Sequence, residues 1–122
     1  MAADSSGVYA VGAFRGTVNF NSAGTANLSS ADINTSDAFF VKLDDQGAYQ
    51  WATNVGDEAR GVAVDVAGGY VYSTGTFSGT QDFDPGAGTT NLTATAKGAY
   101  VLTLNTNGTF VRAVKFDGTY NE

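Results

Sequence analysis

The sequence predicts an all-β fold made of two copies of one unit, and three observations support this prediction. The segment Gly7–Phe20 is repeated as Gly69–Phe83. The 122 residues include 16 Gly and one Pro, many Thr, Val and Tyr and only 15% charged residues, a composition typical of strands joined by tight turns. Short alternating apolar runs are separated by Gly, Asn and Asp, and no window has helical spacing.

The repeat extends along the whole chain. Ala38–Leu43 corresponds to Ala99–Leu104, 61 residues later, and Gly47 corresponds to Gly108. This period predicts one unit at residues 1–61, with its first strand shortened, and a second at residues 62–122. A unit of this size is too small to bury its own apolar side chains, so a neighbouring unit must complete the core.

Each unit is predicted to contain four strands. In the second unit these are Gly61–Asp65, Tyr70–Phe77, Ala99–Leu104 and Phe110–Phe116. The shortened first strand of the first unit is Met1–Asp4. Gly108, like Gly47 in the first unit, supplies the positive φ angle that a tight hairpin turn requires, so the third and fourth strands should pair.

A longer insertion separates the second and third strands of each unit. It spans residues 80–94 in the second unit and has a counterpart at residues 17–30. The turn-forming run Asp84–Gly86 predicts that the insertion is a β-hairpin, in which Phe83 would face Leu92. We interpret this hairpin as an extension at the rim of the sheet.

Four aromatic residues recur in register between the two units. They are Phe14 and Phe39 in the first unit and Phe77 and Tyr100 in the second. Side chains that recur at the same positions of a repeat are expected to pack between its units. We therefore predict that these four residues form a core and do not bind a ligand.

The segment Val71–Gly86 reads VYSTGTFSGTQDFDPG and resembles, almost position for position, the repeat of a bacterial β-propeller family often described as seven-bladed β-propeller repeats. The resemblance covers nearly the whole chain and continues through Asp37–Asp44, Gln50–Ala52, Gly61–Asp65 and Asn91–Thr93. The first unit departs from the pattern at Asn19–Ser22, and Arg112 stands where the family has Trp. These departures weaken the case for a shared ligand chemistry and leave the resemblance in fold intact.

The resemblance implies two four-stranded antiparallel propeller blades, each with its first strand innermost along a central channel and its fourth at the rim. Two blades leave apolar faces uncovered, so we expect head-to-tail homo-oligomerisation to complete a closed β-propeller. Propellers have about four to eight blades, so a dimer, trimer or tetramer would give four, six or eight, and we expect a trimer or tetramer. The expected assembly interface comprises Met1, Ala2, Ala3, Tyr120, Asn121 and Glu122.

Charge and hydropathy argue against several partners. A net charge of −6, from 12 acidic and 6 basic residues, disfavours nucleic acid and anionic membranes. No apolar run has the length of a transmembrane span, and Met1–Asp4 lacks the features of a signal peptide. The resembling family is typical of secreted or cell-surface proteins, which implies that location for a parent protein.

The residues favour a protein without catalytic activity. The chain has no His and no Cys, so it lacks the commonest general base and the commonest reactive thiol. We predict no catalytic residues and no cofactor. Asp82 and Asp84 are weak candidates for metal ligands, but Asp in a Pro-Gly turn is better explained by turn formation. Asp65, at the end of the innermost strand, is likewise expected to cap the following turn.

Candidate ligand-binding residues lie in the loops that lead from the fourth strand of one unit to the first strand of the next. They are Asp57, Glu58, Arg60, Tyr120 and Asn121. These loops mix charge with an aromatic ring and would surround the channel mouth, where propellers commonly bind ligands. Trp51 is a further candidate for stacking on a sugar, although Arg112 takes its place in the second unit.

Three functions remain open from the sequence. The leading hypothesis is a non-catalytic propeller repeat module that assembles into a ring and serves as a structural or interaction scaffold. The alternative is a propeller that binds a glycan or another small ligand through the channel-mouth loops. The third is a fragment of a propeller enzyme, such as a lyase or hydrolase, with its catalytic residues on other blades.

Overall fold

The computed structural model describes residues 2–4, 7–30, 36–65, 67–84, 86 and 88–116. This part of the chain is all β, with antiparallel sheets and no helix, which confirms the predicted class. It accordingly offers no helix that is long and apolar enough to cross a membrane. Its strands are β1 (Ala2–Asp4), β2 (Gly7–Phe14), β3 (Thr17–Asn19), β4 (Asn27–Ser29), β5 (Asp37–Leu43), β6 (Tyr49–Asn54), β7 (Glu58–Asp65), β8 (Tyr70–Asp82), β9 (Asn91–Asn105) and β10 (Phe110–Phe116).

The strands form two four-stranded sheets, one from each unit of the repeat. The first sheet has the order β1-β2-β5-β6 and the second has the order β7-β8-β9-β10. In the first unit the insertion forms a separate two-stranded sheet, β3-β4, whereas in the second it continues β8 and β9. Among the described residues no sheet closes on itself. Four strands per unit, with the third and fourth paired, agree with the sequence prediction.

The hairpin turns of the two units share one geometry. Gly47 and Gly108 have φ angles of 87° and 90°, and their amides donate to the carbonyls of Asp44 and Asn105, each at 3.0 Å. The side-chain oxygens of Asp44 and Asn105 each accept hydrogen bonds from the amides two and four residues later. The positive φ angles predicted for these glycines are confirmed, and equivalent residues of the two turns make the same hydrogen bonds.

The insertion of the second unit is a hairpin, but its predicted register is wrong. Leu92 pairs with Gln81, whereas the Phe83 amide donates to the Thr90 carbonyl at 2.8 Å. The reason is the Asp82 carboxylate, which accepts hydrogen bonds from the amides of Asp84 and Thr90 and so closes a wide loop. A pairing of Phe83 with Leu92 would have left residues 84–91 in the loop, two more than the residues 84–89 that the observed pairing leaves.

The two sheets pack face to face around one core. Strand β7 of the second sheet lies against β1, β2 and β5 of the first. The core includes Phe77 and Tyr100, which are 0% and 1% exposed and confirm the prediction for the second unit. In the first unit Phe14 is buried but Phe39 is only partly buried. The two units therefore contribute different faces to the core.

Candidate functional site

Each sheet has two faces, which we call front and back. Partners across an antiparallel ladder share a face, and alternate residues along a strand point to opposite faces. The front face of the first sheet carries Tyr9, Val11, Phe40 and Trp51, and the equivalent residues of the second sheet are Tyr72, Thr74, Val101 and Arg112. The back face of the second sheet carries Val71, Phe77, Tyr100 and Leu102, and that of the first carries Val8, Ala10, Phe14 and Phe39.

The internal interface joins the front face of the first sheet to the back face of the second. Phe40, 3% exposed, belongs to the same buried cluster as Phe77, Tyr100 and Leu102. Trp51 packs against this cluster from the edge of the first sheet. Burial of these side chains removes the water contacts that each unit would have alone, which is why two units form one core.

A backbone carbonyl fixes the register of the internal interface. The Thr106 carbonyl, in the turn between β9 and β10, accepts a hydrogen bond from Lys42 Nζ at 2.9 Å and another from Trp51 Nε1 at 3.1 Å. A methyl group at Gly108 would lie 3.0 Å from the Trp51 ring, so the close approach requires glycine. The Lys42 ammonium also lies 5.4 Å from the centre of the Tyr9 ring.

Two faces are left over by this arrangement. On the front face of the second sheet, Val114 and Phe116 are 44% and 61% exposed. On the back face of the first sheet, Phe14, Phe20 and Phe39 form an aromatic cluster with ring centres 5.0–6.4 Å apart. In the part of the chain that the structure describes, no second sheet covers either face.

Equivalent aromatic residues differ in burial between the two units. Phe83 and Tyr100 of the second unit are 0% and 1% exposed. Their counterparts Phe20 and Phe39 have similar ring packing but remain only partly buried. The same kind of surface is therefore covered in one unit and open in the other.

Of the predicted ligand-binding residues, Asp57 is the one whose side chain belongs to the described part of the structure. Residues 56–60 were expected to form a loop, but β7 begins at Glu58, so the expectation of a loop is wrong for residues 58–60. The β ladder continues through this segment because Glu58 and Ala59 pair with Thr76 and Gly75 of β8. The side chains of Glu58 and Arg60, and all of Tyr120 and Asn121, lie outside the described residues.

Asp57 joins the linker between the sheets to the insertion of the second unit. Its carboxylate accepts hydrogen bonds from Gln81 Nε2 at 2.7 Å and from Ser78 Oγ at 3.1 Å. Its carbonyl accepts one from Ser36 Oγ at 3.2 Å. Asp57 thus has structural partners on both sides of the linker. Of the predicted assembly residues, Ala2 and Ala3 pair with Tyr9 and Val8 through β1, and Met1, Tyr120, Asn121 and Glu122 lie outside the described residues.

The acidic turns have the structural role that the sequence indicated. The Asp82 carboxylate accepts from the Thr90 and Asp84 amides, which holds the pKa of Asp82 below its usual value. The Asp84 carboxylate accepts from the Gly86 amide, and the Asp65 carboxylate caps its turn through the Gly68 amide. Among the described residues no three acidic side chains converge as metal ligands would.

An open cleft of about 430 Å³ lies beside Trp51. Its lining includes Trp51, Thr53, Asp84, Asn107 and Phe110. The Trp51 ring lies against Gly108, and its indole N–H donates to the Thr106 carbonyl. Trp51, a candidate for stacking on a sugar, therefore contributes to the internal interface.

Tyr100 makes the stability of the internal interface sensitive to alkaline pH. Its burial, with a smaller effect from the Asp57 carboxylate, raises the pKa of Tyr100 above its ordinary value. Gly56, with a φ angle of 80°, lets the linker pass over the ring, where a methyl group would lie 2.9 Å away.

We expect the free energy of unfolding to fall as the pH rises above about 10, where tyrosine ionises in the unfolded chain but Tyr100 stays protonated in the folded one. The maximum contribution of this one group is about 1.4 kcal/mol per pH unit. Urea unfolding of the wild type and of Tyr100→Phe at pH 8 and pH 11 measures it. The variant should lose less stability over this interval; an equal loss in both proteins would assign the effect to the other tyrosines.

Sequence reasoning missed the residues that fix the internal interface. Neither Lys42 nor Thr106 belongs to a motif that would indicate an interface. The available signal was the difference between the units, which have Lys42 and Trp51 in the first and Thr103 and Arg112 in the second. Positions at which a repeat changes its chemistry indicate that the two copies meet different partners.

The chain has no match among known proteins at the level that would show a family. No protein-family model, no curated protein and no solved structure is significantly similar to it.

Proposed function

We propose that the chain is a non-catalytic β-propeller module of two blades that assembles head to tail with copies of itself into a closed ring. The ring serves as a structural or interaction scaffold. Support comes from the repeat, from the four-stranded antiparallel sheet formed by each unit, and from the way in which the two sheets pack. The resemblance of Val71–Gly86 to propeller repeats points in the same direction.

The observation that carries this proposal is that the two open faces are of the same two kinds as the faces that form the internal interface. The internal interface uses a front face and a back face, and the chain leaves open one more of each: the front face of the second sheet and the back face of the first. A second copy placed with its first sheet on the open front face would repeat the internal interface. Such an asymmetric contact uses two different surfaces and gives a closed ring when the rotation per chain divides the circle.

The open front face has the apolar side chains that such a contact requires. Val114 and Phe116 occupy the positions of Thr53 and Val55 in the internal interface, and Val55 is only 5% exposed there. Each large apolar side chain buried at a junction stabilises it by about 1.5–3 kcal/mol. With two blades per chain, rings of two, three or four chains have four, six or eight blades, the range known for propellers, and we favour three or four chains.

Native mass spectrometry of the wild-type chain tests the proposal directly. The expected result is one species of three or four chains. We expect Phe116→Glu to shift this species to monomer, because each junction would bury an unpaired carboxylate. Phe116→Val is the matched control, since it places at the junction the residue that the internal interface uses, and it should still assemble. A folded wild-type monomer at micromolar concentration would contradict the proposal.

A further inference from the structure

We propose that Arg112 of one copy pairs with Asp45 of the next, and that this ion pair fixes the register of the head-to-tail junction. The inference rests on the proposed assembly and names its specificity-determining residues. The pair would take the place of the hydrogen bonds by which Lys42 and Trp51 hold the Thr106 carbonyl inside the chain. Its chemistry differs from that of the internal contact, so it distinguishes the junction between chains from the interface within one.

The position of Asp45 follows from the two hairpin turns. Thr106 directly follows Asn105 in the turn of the second unit, and Asp45 directly follows Asp44 in that of the first. The turns have the same backbone hydrogen bonds and the same side-chain caps, with Gly47 and Gly108 at equivalent places. A copy that repeats the internal interface would therefore present Asp45 where Thr106 lies within the chain.

The position of Arg112 follows from the strand register. Trp51 pairs with Lys42, and Arg112 pairs with Thr103, in ladders that each have an irregularity beside these pairs. Trp51 and Arg112 are 61 residues apart, as are Lys42 and Thr103. The guanidinium of Arg112 would thus approach the turn of the neighbouring copy from the place that the Trp51 indole occupies within the chain.

The chemistry of the two positions is complementary. Arg112 and Asp45 are both exposed in the single chain. A guanidinium presents several N–H donors, enough to bind both the carboxylate of Asp45 and its backbone carbonyl, which would lie where the Thr106 carbonyl lies within the chain. At long range the copies repel each other, because each carries a net charge of −6. A local cation facing an acidic turn therefore favours this docking geometry over others.

The two turns also differ in charge, which gives the junction its selectivity. The first unit carries Asp44 and Asp45, whereas the second carries Asn105 and Thr106. Arg112 would find a carboxylate only at the first unit of another copy. A slipped or reversed docking that brought Arg112 to a second unit would leave it without an anionic partner, and mismatched charges at an interface are costly.

Charge reversal tests the pair. We expect Arg112→Glu and Asp45→Arg each to require at least a tenfold higher chain concentration for half-assembly, because like charges then meet at every junction. The double variant Arg112→Glu/Asp45→Arg should recover the wild-type midpoint, because it restores opposite charges at every junction. This expectation does not depend on the number of chains in the ring. Analytical ultracentrifugation over a range of concentrations gives these midpoints, and circular dichroism shows that each variant is folded.

The control is Lys115→Glu, which changes the charge equally on the same strand but on the opposite sheet face, where Lys115 Nζ contacts the Thr93 carbonyl. Its midpoint should stay within about threefold of the wild type. A wild-type chain that remains monomeric would overturn the proposed assembly and this inference with it. A wild type that assembles while both reversals leave the midpoint unchanged, or a double variant that is not rescued, would overturn the ion pair alone.

Discussion

Replacing Phe83 by Ala is expected to lower the free energy of unfolding by about 3–5 kcal/mol. Phe83 is 0% exposed, and its ring centre lies 5.0 Å from those of both Phe77 and Tyr100. The substitution would remove a ring from the centre of the internal interface and leave a cavity that neighbouring aromatic rings cannot fill without leaving their own positions.

Phe20→Ala is the matched control, because Phe20 is the equivalent residue in the first unit. Its ring also packs on two aromatic partners, Phe14 and Phe39, but it stays partly exposed in the single chain. In a monomer we therefore expect it to lose only about 1–2 kcal/mol, since less apolar surface is removed from burial.

Both substitutions are best measured in the Phe116→Glu background, where assembly does not contribute to stability. Urea unfolding followed by the fluorescence of Trp51, the only tryptophan in the chain, reports on the internal interface. Equal losses for Phe20→Ala and Phe83→Ala would show that the back face of the first sheet is covered as well as that of the second.

The sequence predicts the strands well because their signals are local. The β-branched and aromatic residues of Phe110–Phe116 and the glycines at positions 47 and 108 indicate a strand and its turns without reference to the rest of the chain. The register of the insertion could not be predicted in this way. It depends on the Asp82 carboxylate capturing the Thr90 amide across the loop, a contact between residues that no periodicity links.

The site was harder to predict than the fold. The Asp57 carboxylate accepts hydrogen bonds from Gln81 and Ser78, contacts with the insertion of the second unit that the sequence did not indicate. Periodicity gives the faces of a strand but does not say which face meets the neighbouring sheet. Only the packed structure shows that Phe40 is buried in the internal interface, whereas the preceding residue, Phe39, lies on the open back face of the first sheet.

Converting the proposed junction between chains into a copy of the internal interface should make assembly tighter and remove the salt dependence that comes from the ion pair. The variant is Asp45→Thr/Thr103→Lys/Arg112→Trp, which gives the junction the residues that meet at the Thr106 carbonyl within the chain. Partial burial of a Trp side chain at each junction is worth about 2 kcal/mol, or about thirtyfold in the midpoint concentration of assembly. The ion pair that salt screens is removed at the same time.

Sedimentation at low salt and at about 1 M NaCl measures both effects, since the Debye length falls from about 10 Å at 0.1 M to about 3 Å at 1 M. Screening of the net negative charge favours assembly of both proteins in high salt, but only the wild type loses its ion pair, so the ratio of the wild-type midpoint to that of the triple variant should rise. Arg112→Trp alone is the control: it supplies the indole but keeps the Asp45 carboxylate unpaired at the junction, so it should gain less. A triple variant that fails to assemble would mean that the chains do not meet through a repetition of the internal interface, because a Lys and a Trp side chain already hold a backbone carbonyl in that geometry between the two sheets of one chain.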